Sequence, residues 1–150
     1  MTKAFLPMLR QEPSANIVNI SSLFGIISLP GQTAYCASKF AVRGFSESLR
    51  HELAGSSIAL TVVHPGGIAT SIARNARVPK HTDKQQAEPA LKQMEKMLKM
   101  SPHAAAELIV LGIQRRSPRV LIGRDAKQAE FIQRLFPVRY FAMLKKLAGA

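Results

Sequence analysis

Tyr35 and Lys39 stand four residues apart in the stretch AYCASK. That spacing puts two side chains on one face of a helix. An ammonium group beside a phenol favours the phenolate by charge attraction. A tyrosine so placed can exchange a proton with an alcohol or a carbonyl. The same spacing also fits a surface lysine lying against a tyrosine ring, and the pair alone does not separate the two. Ser22 precedes Tyr35 by thirteen residues, and PGGIAT, Pro65 to Thr70, follows further on. Glycines in such a turn let backbone approach a ligand closely, and the Thr70 hydroxyl can hydrogen-bond a phosphate or an amide. PGG is equally an ordinary turn.

These residues need elements to bring them together. NIVNISS, Asn16 to Ser22, is short, β-branched and ends in small residues, so it predicts a strand with Ser22 at its end. Thr33 to Leu53 predicts a long helix, with Ala37, Ala41, Phe45 and Leu49 repeating at four-residue intervals and Gly55-Ser56-Ser57 stopping it. Ile58 to Val63 is almost wholly apolar, which suits a strand covered on both faces. Ser101-Pro102 predicts a helix start running to about Arg115, and RVLIG a third short strand. Residues 1–11 read as the last turns of an amphipathic helix, and residues 125–150 as a helical tail broken at Pro137. Strands joined by helices imply an α/β fold, with a parallel sheet of about three strands and flanking helices. In such sheets ligands bind at the carboxyl ends of the strands, which is where Ser22, Tyr35 and PGGIAT fall.

Composition narrows the function classes. The chain has 150 residues, 47% hydrophobic and 20% charged, with a formal charge of +12. The basic residues are spread out, tryptophan is absent, and no aromatic–basic alternation of the kind that stacks bases occurs. This argues against nucleic-acid binding. One cysteine, Cys36, permits no disulfide framework, and it reads as a small buried residue. His51, His64, His81 and His103 lack metal-ligand spacing and read as surface or packing residues. No apolar run approaches the ~18 residues of a membrane span, so the expected location is cytoplasmic. The apolar, basic tail FIQRLFPVRYFAMLKKL suits packing on the domain or a partner subunit, with contact to an anionic membrane as the lesser reading.

The motifs together resemble the short-chain dehydrogenase/reductase family. NIVNISS is similar to that family's serine strand, YCASK to its Tyr-x-x-x-Lys element, and PGGIAT to its Pro-Gly-x-x-x-Thr segment, in the same order and spacing. The resemblance covers residues 1 to about 123. It implies the C-terminal part of a Rossmann-like, doubly wound sheet. It implies that Tyr35 is the catalytic acid/base, that Lys39 assists it and binds the nicotinamide ribose, and that Ser22 holds the substrate oxygen. Pro65, Gly66, Ile68 and Thr70 would face the nicotinamide end of NAD or NADP. The substrate would be a small carbonyl or alcohol, and the full-length enzyme a homo-oligomer. Residues 68–100 would form a substrate lid.

The family's glycine-rich Thr-Gly-x-x-x-Gly-x-Gly turn, its Asn-Asn-Ala-Gly segment and its catalytic asparagine have no counterpart; the asparagines are Asn16, Asn19 and Asn75. Residues 1–150 therefore read as the catalytic half of one dinucleotide-binding domain, with Met1 an internal start and activity of the chain alone in question. Two alternatives stay open: a non-catalytic remnant serving as an interaction module, and a peripheral membrane protein using the basic tail.

Overall fold

The structure is a computed structural model that describes residues 1–72, 75, 92 and 95–147. Along the chain run α1 (Thr2–Leu9), β1 (Ala15–Ile20), α2 (Thr33–Glu52), β2 (Ile58–Pro65), α3 (Pro102–Gln114), β3 (Arg119–Ile122), α4 (Arg124–Leu135) and α5 (Tyr140–Leu147). A 3-10 turn, Leu23–Gly25, follows β1. The strands form one parallel sheet in the order β1-β2-β3. Ala15 pairs with Ile58 at one end of the β1–β2 register and Ile20 with Val63 at the other. Val62 pairs with Arg119 and Pro65 with Ile122 across β2–β3.

The central strand explains its own composition. β2 is buried almost throughout because helices cover both its faces. Ile58 and Leu60 pack with Ile17 of β1 and with Leu49 and Leu53 of the α2 segment. Val63 faces the other way, into a cluster with Ala105, Ile122 and Leu108. Ser101 starts α3 as its sequence suggests, its hydroxyl accepting from Ala104 N–H at 3.2 Å. A third cluster joins Ile26 and Ile27, just past the 3-10 turn, to Ala129 of α4 and to Tyr140 and Leu144 of α5. The tail therefore packs on the domain. No helix among the described residues is long and apolar enough to cross a membrane.

Two local expectations change. β1 stops at Ile20, and Ser22 caps the 3-10 turn instead of ending the strand; its hydroxyl accepts from Phe24 N–H at 3.1 Å. The reason is that a serine after the last ladder residue finds a nearer partner in its own turn. In α2 the helix is as expected, but Ala37, Ala41 and Phe45 face outward. The buried face carries Cys36, Ser46 and Leu49. Ser46 is inside because it has polar partners there: its hydroxyl accepts from Asn19 Nδ2 at 2.9 Å and donates to Val42 O at 2.6 Å. Most of the expected lid at 68–100 lies outside the described residues.

The 3-10 turn sits hard against α2. A Cβ on Gly25 would come within 2.3 Å of Ser21 Oγ and 2.7 Å of the Lys39 carbonyl oxygen. Gly44, also on α2, has open space around it. Two opposite outcomes follow for one substitution. Gly25→Ala should destabilise the fold by about 1–3 kcal/mol through overpacking. Gly44→Ala should stabilise it by roughly 0.5–1 kcal/mol, since a helix interior prefers alanine. Urea unfolding midpoints decide; a neutral Gly25→Ala would show that the approach is loose.

Candidate active site

The carboxyl end of β1 gathers the first three residues. Lys39 Nζ lies 5.6 Å from the Tyr35 ring centroid and 3.4 Å from the Ile20 carbonyl oxygen. Phe24 meets the Tyr35 ring edge-to-face, the centroids 6.0 Å apart and the planes at 90°. Phe24 is also the residue whose amide caps on Ser22 Oγ. Ser22 and Tyr35 are thus linked through Phe24, while no direct hydrogen bond joins Ser22, Tyr35 and Lys39 to one another. Tyr35 is 38% exposed as a residue. The ammonium lies against the ring, and no carboxylate among the described residues pairs with it.

The turn after β2 is held by hydrogen bonds from several directions. Gly66 N–H donates to Ile122 O at 2.8 Å, and Gly67 N–H to Asp125 Oδ2 at 2.7 Å. The Gly67 carbonyl accepts from the N–H groups of Lys99 and Met100, each at 3.1 Å. Ala69 N–H donates to Met100 O at 2.7 Å, beside a single parallel bridge between Ile68 and Met100. The Ile68 carbonyl accepts from Thr70 N–H at 2.8 Å, whereas no described group accepts from Ile68 N–H. Thr70 is exposed, its hydroxyl 3.4 Å from Ile72 N. Pro65, the last residue of β2, fixes the exit from the sheet.

His64, expected from the sequence as a surface or packing residue, is buried between these two groups. It is fully buried. Its Nδ1 is 2.8 Å from the Ser22 carbonyl oxygen. A carbonyl only accepts, so Nδ1 carries the proton. Nε2 is buried with no partner among the described residues. Burial pushes the imidazole below its ordinary value; the bond to Ser22 opposes this, and the charges of Arg119 and Arg43 add to it. The one available signal was position, the residue directly before Pro65.

A polar stitch beneath the site is built on Glu47 of α2. It is bonded by Arg119 of β3 and, at 3.1 Å, by Arg43. Burial opposes its charge, but the hydrogen bonds from Arg119 and Arg43 outweigh that and hold the carboxyl below its usual range. Arg119 also reaches Glu130 of α4 at 3.8 Å. Among the described residues no cluster of His, Cys, Asp or Glu could hold a metal ion.

Comparison with known proteins identifies the family of the chain. The profile of the short chain dehydrogenases matches residues 1–81. The chain belongs to the short-chain dehydrogenase family. It is similar to the putative oxidoreductase SadH of Mycobacterium tuberculosis, 45% identical over 141 residues, which are 93% of this chain and 50% of that protein. It is also similar to a dehydrogenase/reductase SDR family protein 7-like of Drosophila melanogaster, 34% identical over 149 residues, 99% of this chain and 44% of that one. The chain spans about half the length of these relatives. Among solved structures, a short-chain dehydrogenase from Streptomyces avermitilis superposes with a TM-score of 0.74 at 30% identity, covering 98% of this chain and 56% of the other. A family member from Burkholderia phymatum in complex with NAD gives 0.76 at 26% identity, over 89% and 52%.

The neutral His64 makes stability depend on pH. Its folded value lies below the unfolded one, so in mild acid the unfolded chain binds more protons. Stability should therefore be full above about pH 6.5 and fall as the pH drops toward the folded value. His64→Asn keeps a side-chain N–H near Ser22 and removes the titration. Its urea midpoint should change less than the parent's between roughly pH 5 and 7; Glu47 acts only further into acid. Parallel pH profiles for the two proteins would refute the buried neutral imidazole.

Proposed function

We propose that these 150 residues form the catalytic part of an oxidoreductase that interconverts a carbonyl and an alcohol with NAD or NADP. The observation that carries the reading is the packing of Tyr35 and Lys39 against each other beside the Ser22 turn, at the carboxyl end of β1. The family supports the reaction class, and the NAD-bound relative supports the cofactor. The donor set of the turn after β2 fits a nicotinamide: Ile68 N–H is unclaimed by any described group, and Thr70 is exposed next to it.

When bound, the dinucleotide supplies the hydride that reduces the carbonyl carbon, or accepts it from the alcohol carbon in reverse. Tyr35 gives its hydroxyl proton to the carbonyl oxygen as the alcohol forms, and takes a proton back in the other direction. Lys39 carries the positive charge that steadies the phenolate left behind. Ser22 Oγ already accepts from Phe24 N–H, which leaves its own O–H free to donate to the substrate oxygen. Phe24, edge-on to Tyr35, limits how the phenol can swing. Lys39, Pro65, Gly66, Ile68 and Thr70 hold the nicotinamide end.

The pyrophosphate of such a cofactor usually rests on a glycine-rich helix N-terminus, and this sequence contains no such motif. The 150 residues by themselves should bind NAD(H) or NADP(H) very weakly. Titration calorimetry on the purified chain tests this, and a micromolar dissociation constant would contradict it.

The assignment of roles is tested in the natural polypeptide that carries these residues. Tyr35→Phe removes the proton donor and little volume, so turnover should fall about 10²–10⁴-fold with the fold intact. Lys39→Ala should lower turnover and weaken cofactor binding as well. A Tyr35→Phe enzyme that reduces carbonyls at the parental rate would overturn the mechanism.

A further inference from the structure

Asp125 lies outside the residues that the family profile matches and outside the three motifs read from the sequence. It sits in the first turn of α4, where an acidic residue also suits the helix dipole. That role would leave its direction free. Its direction is not free: the carboxylate points back across the sheet edge and fills a notch between two glycines. A Cβ on Gly66 would come within 2.2 Å of Oδ2, and one on Gly123 within 2.2 Å of Oδ1. Gly123 has φ +99°, a conformation that side chains strain, and it turns the chain from β3 into α4 at the angle that aims Asp125 at the turn.

Oδ2 accepts from Gly67 N–H at 2.7 Å. On its other side Gly67 is closed in by the chain at Met97, whose carbonyl oxygen would lie 2.0 Å from a Cβ there. The Gly67 carbonyl is taken by Lys99 and Met100. With both groups of Gly67 committed, the orientation of the next amide, Ile68 N–H, is set. That amide is the one the described residues leave without an acceptor.

We propose that Asp125 is a positioning residue for the cofactor: its carboxylate fixes the Gly66–Gly67 turn so that Ile68 N–H is held toward the nicotinamide end of the dinucleotide. This rests on the oxidoreductase reading above. Asp125 itself touches neither cofactor nor substrate. It acts through the turn, and so it should affect cofactor affinity and leave the proton-transfer groups alone.

The test uses the natural polypeptide carrying these residues, with NADH and NADPH titrated by fluorescence and turnover measured at saturating cofactor. Asp125→Ala should weaken dinucleotide binding about 10- to 100-fold, the range for a lost hydrogen bond to a charged group, with kcat at saturation within about twofold. Asp125→Asn keeps an accepting oxygen at the same place and should recover most of the affinity. Gly66→Ala drives its Cβ into the carboxylate and should weaken binding in the parent, yet cost less in the Asp125→Ala background, where the clash is gone. If Asp125→Ala alone folds poorly, Asp125→Ser, which also withdraws the carboxylate from both glycines, takes its place in the cycle. An Asp125→Ala protein that melts lower but binds cofactor like the parent would overturn the proposal, as would additive effects of the two substitutions. A parent that binds neither dinucleotide would sink the oxidoreductase reading and this inference with it, a result the parent's own titration identifies.

Discussion

At Gly25 the chain leaves the sheet with no room for a side chain. The turn that follows β1 lies so close to α2 that the Lys39 carbonyl would meet any Cβ at that position. The Ser21 hydroxyl donates to the same carbonyl at 2.8 Å, and Ser21 N–H donates to Val63 O of β2 at 2.8 Å. One short stretch thus ties strand, turn and helix together, through its backbone and through the Ser21 hydroxyl. Backbone contacts tolerate less error than side-chain contacts, because neither partner has a rotamer to yield. The position of Phe24 against Tyr35, and of Ile26 and Ile27 against α4 and α5, depends on this approach.

The second layer of order is polar. Asn19 reaches Ser46, Glu47 receives Arg119 and Arg43, and His64 holds the Ser22 carbonyl. Each of these groups lies partly or wholly out of water, where an unpaired polar atom is costly. Their worth lies in register more than in raw stability. A slide of α2 along the sheet would break the Asn19–Ser46 and Glu47–Arg119 contacts together. Tyr35 and Lys39 ride on the same helix, so the polar stitch and the site move as one body. His64 is the exception to full satisfaction, since its Nε2 has no described partner. Its bond to Ser22 is the compensation that the geometry offers.

The parallel sheet does the rest. Successive parallel strands end at one edge, so the chain leaving β1, β2 and β3 delivers its turns side by side. That is why residues as far apart as Ser22, Gly66 and Asp125 share a neighbourhood. Ile122 O at the end of β3 receives Gly66 N–H from the turn after β2, which carries the support of that turn from the C-terminal part of the chain. The tail adds a further tie, because Tyr140 OH accepts from Ser28 N–H at 2.9 Å, just past the Ser22 turn.

Much of this was written in the sequence. The apolar run of β2, the Ser101 cap and the glycine–serine stop after α2 are local signals, decided by propensity and hydrogen bonding within a few residues, and the elements they announce are where they should be. The order of the Ser, Tyr-x-x-x-Lys and Pro-Gly motifs likewise pointed to the family, because it depends on chain order alone. Tertiary structure decided what no local signal holds. It chose which face of α2 is buried, turning Phe45 outward and Ser46 inward, because Asn19 waits on a neighbouring strand. It made His64 a buried neutral donor and brought Asp125 against Gly66 and Gly67. In each case the deciding partner lies far away along the chain, and a contact between distant residues exists only once the sheet has formed.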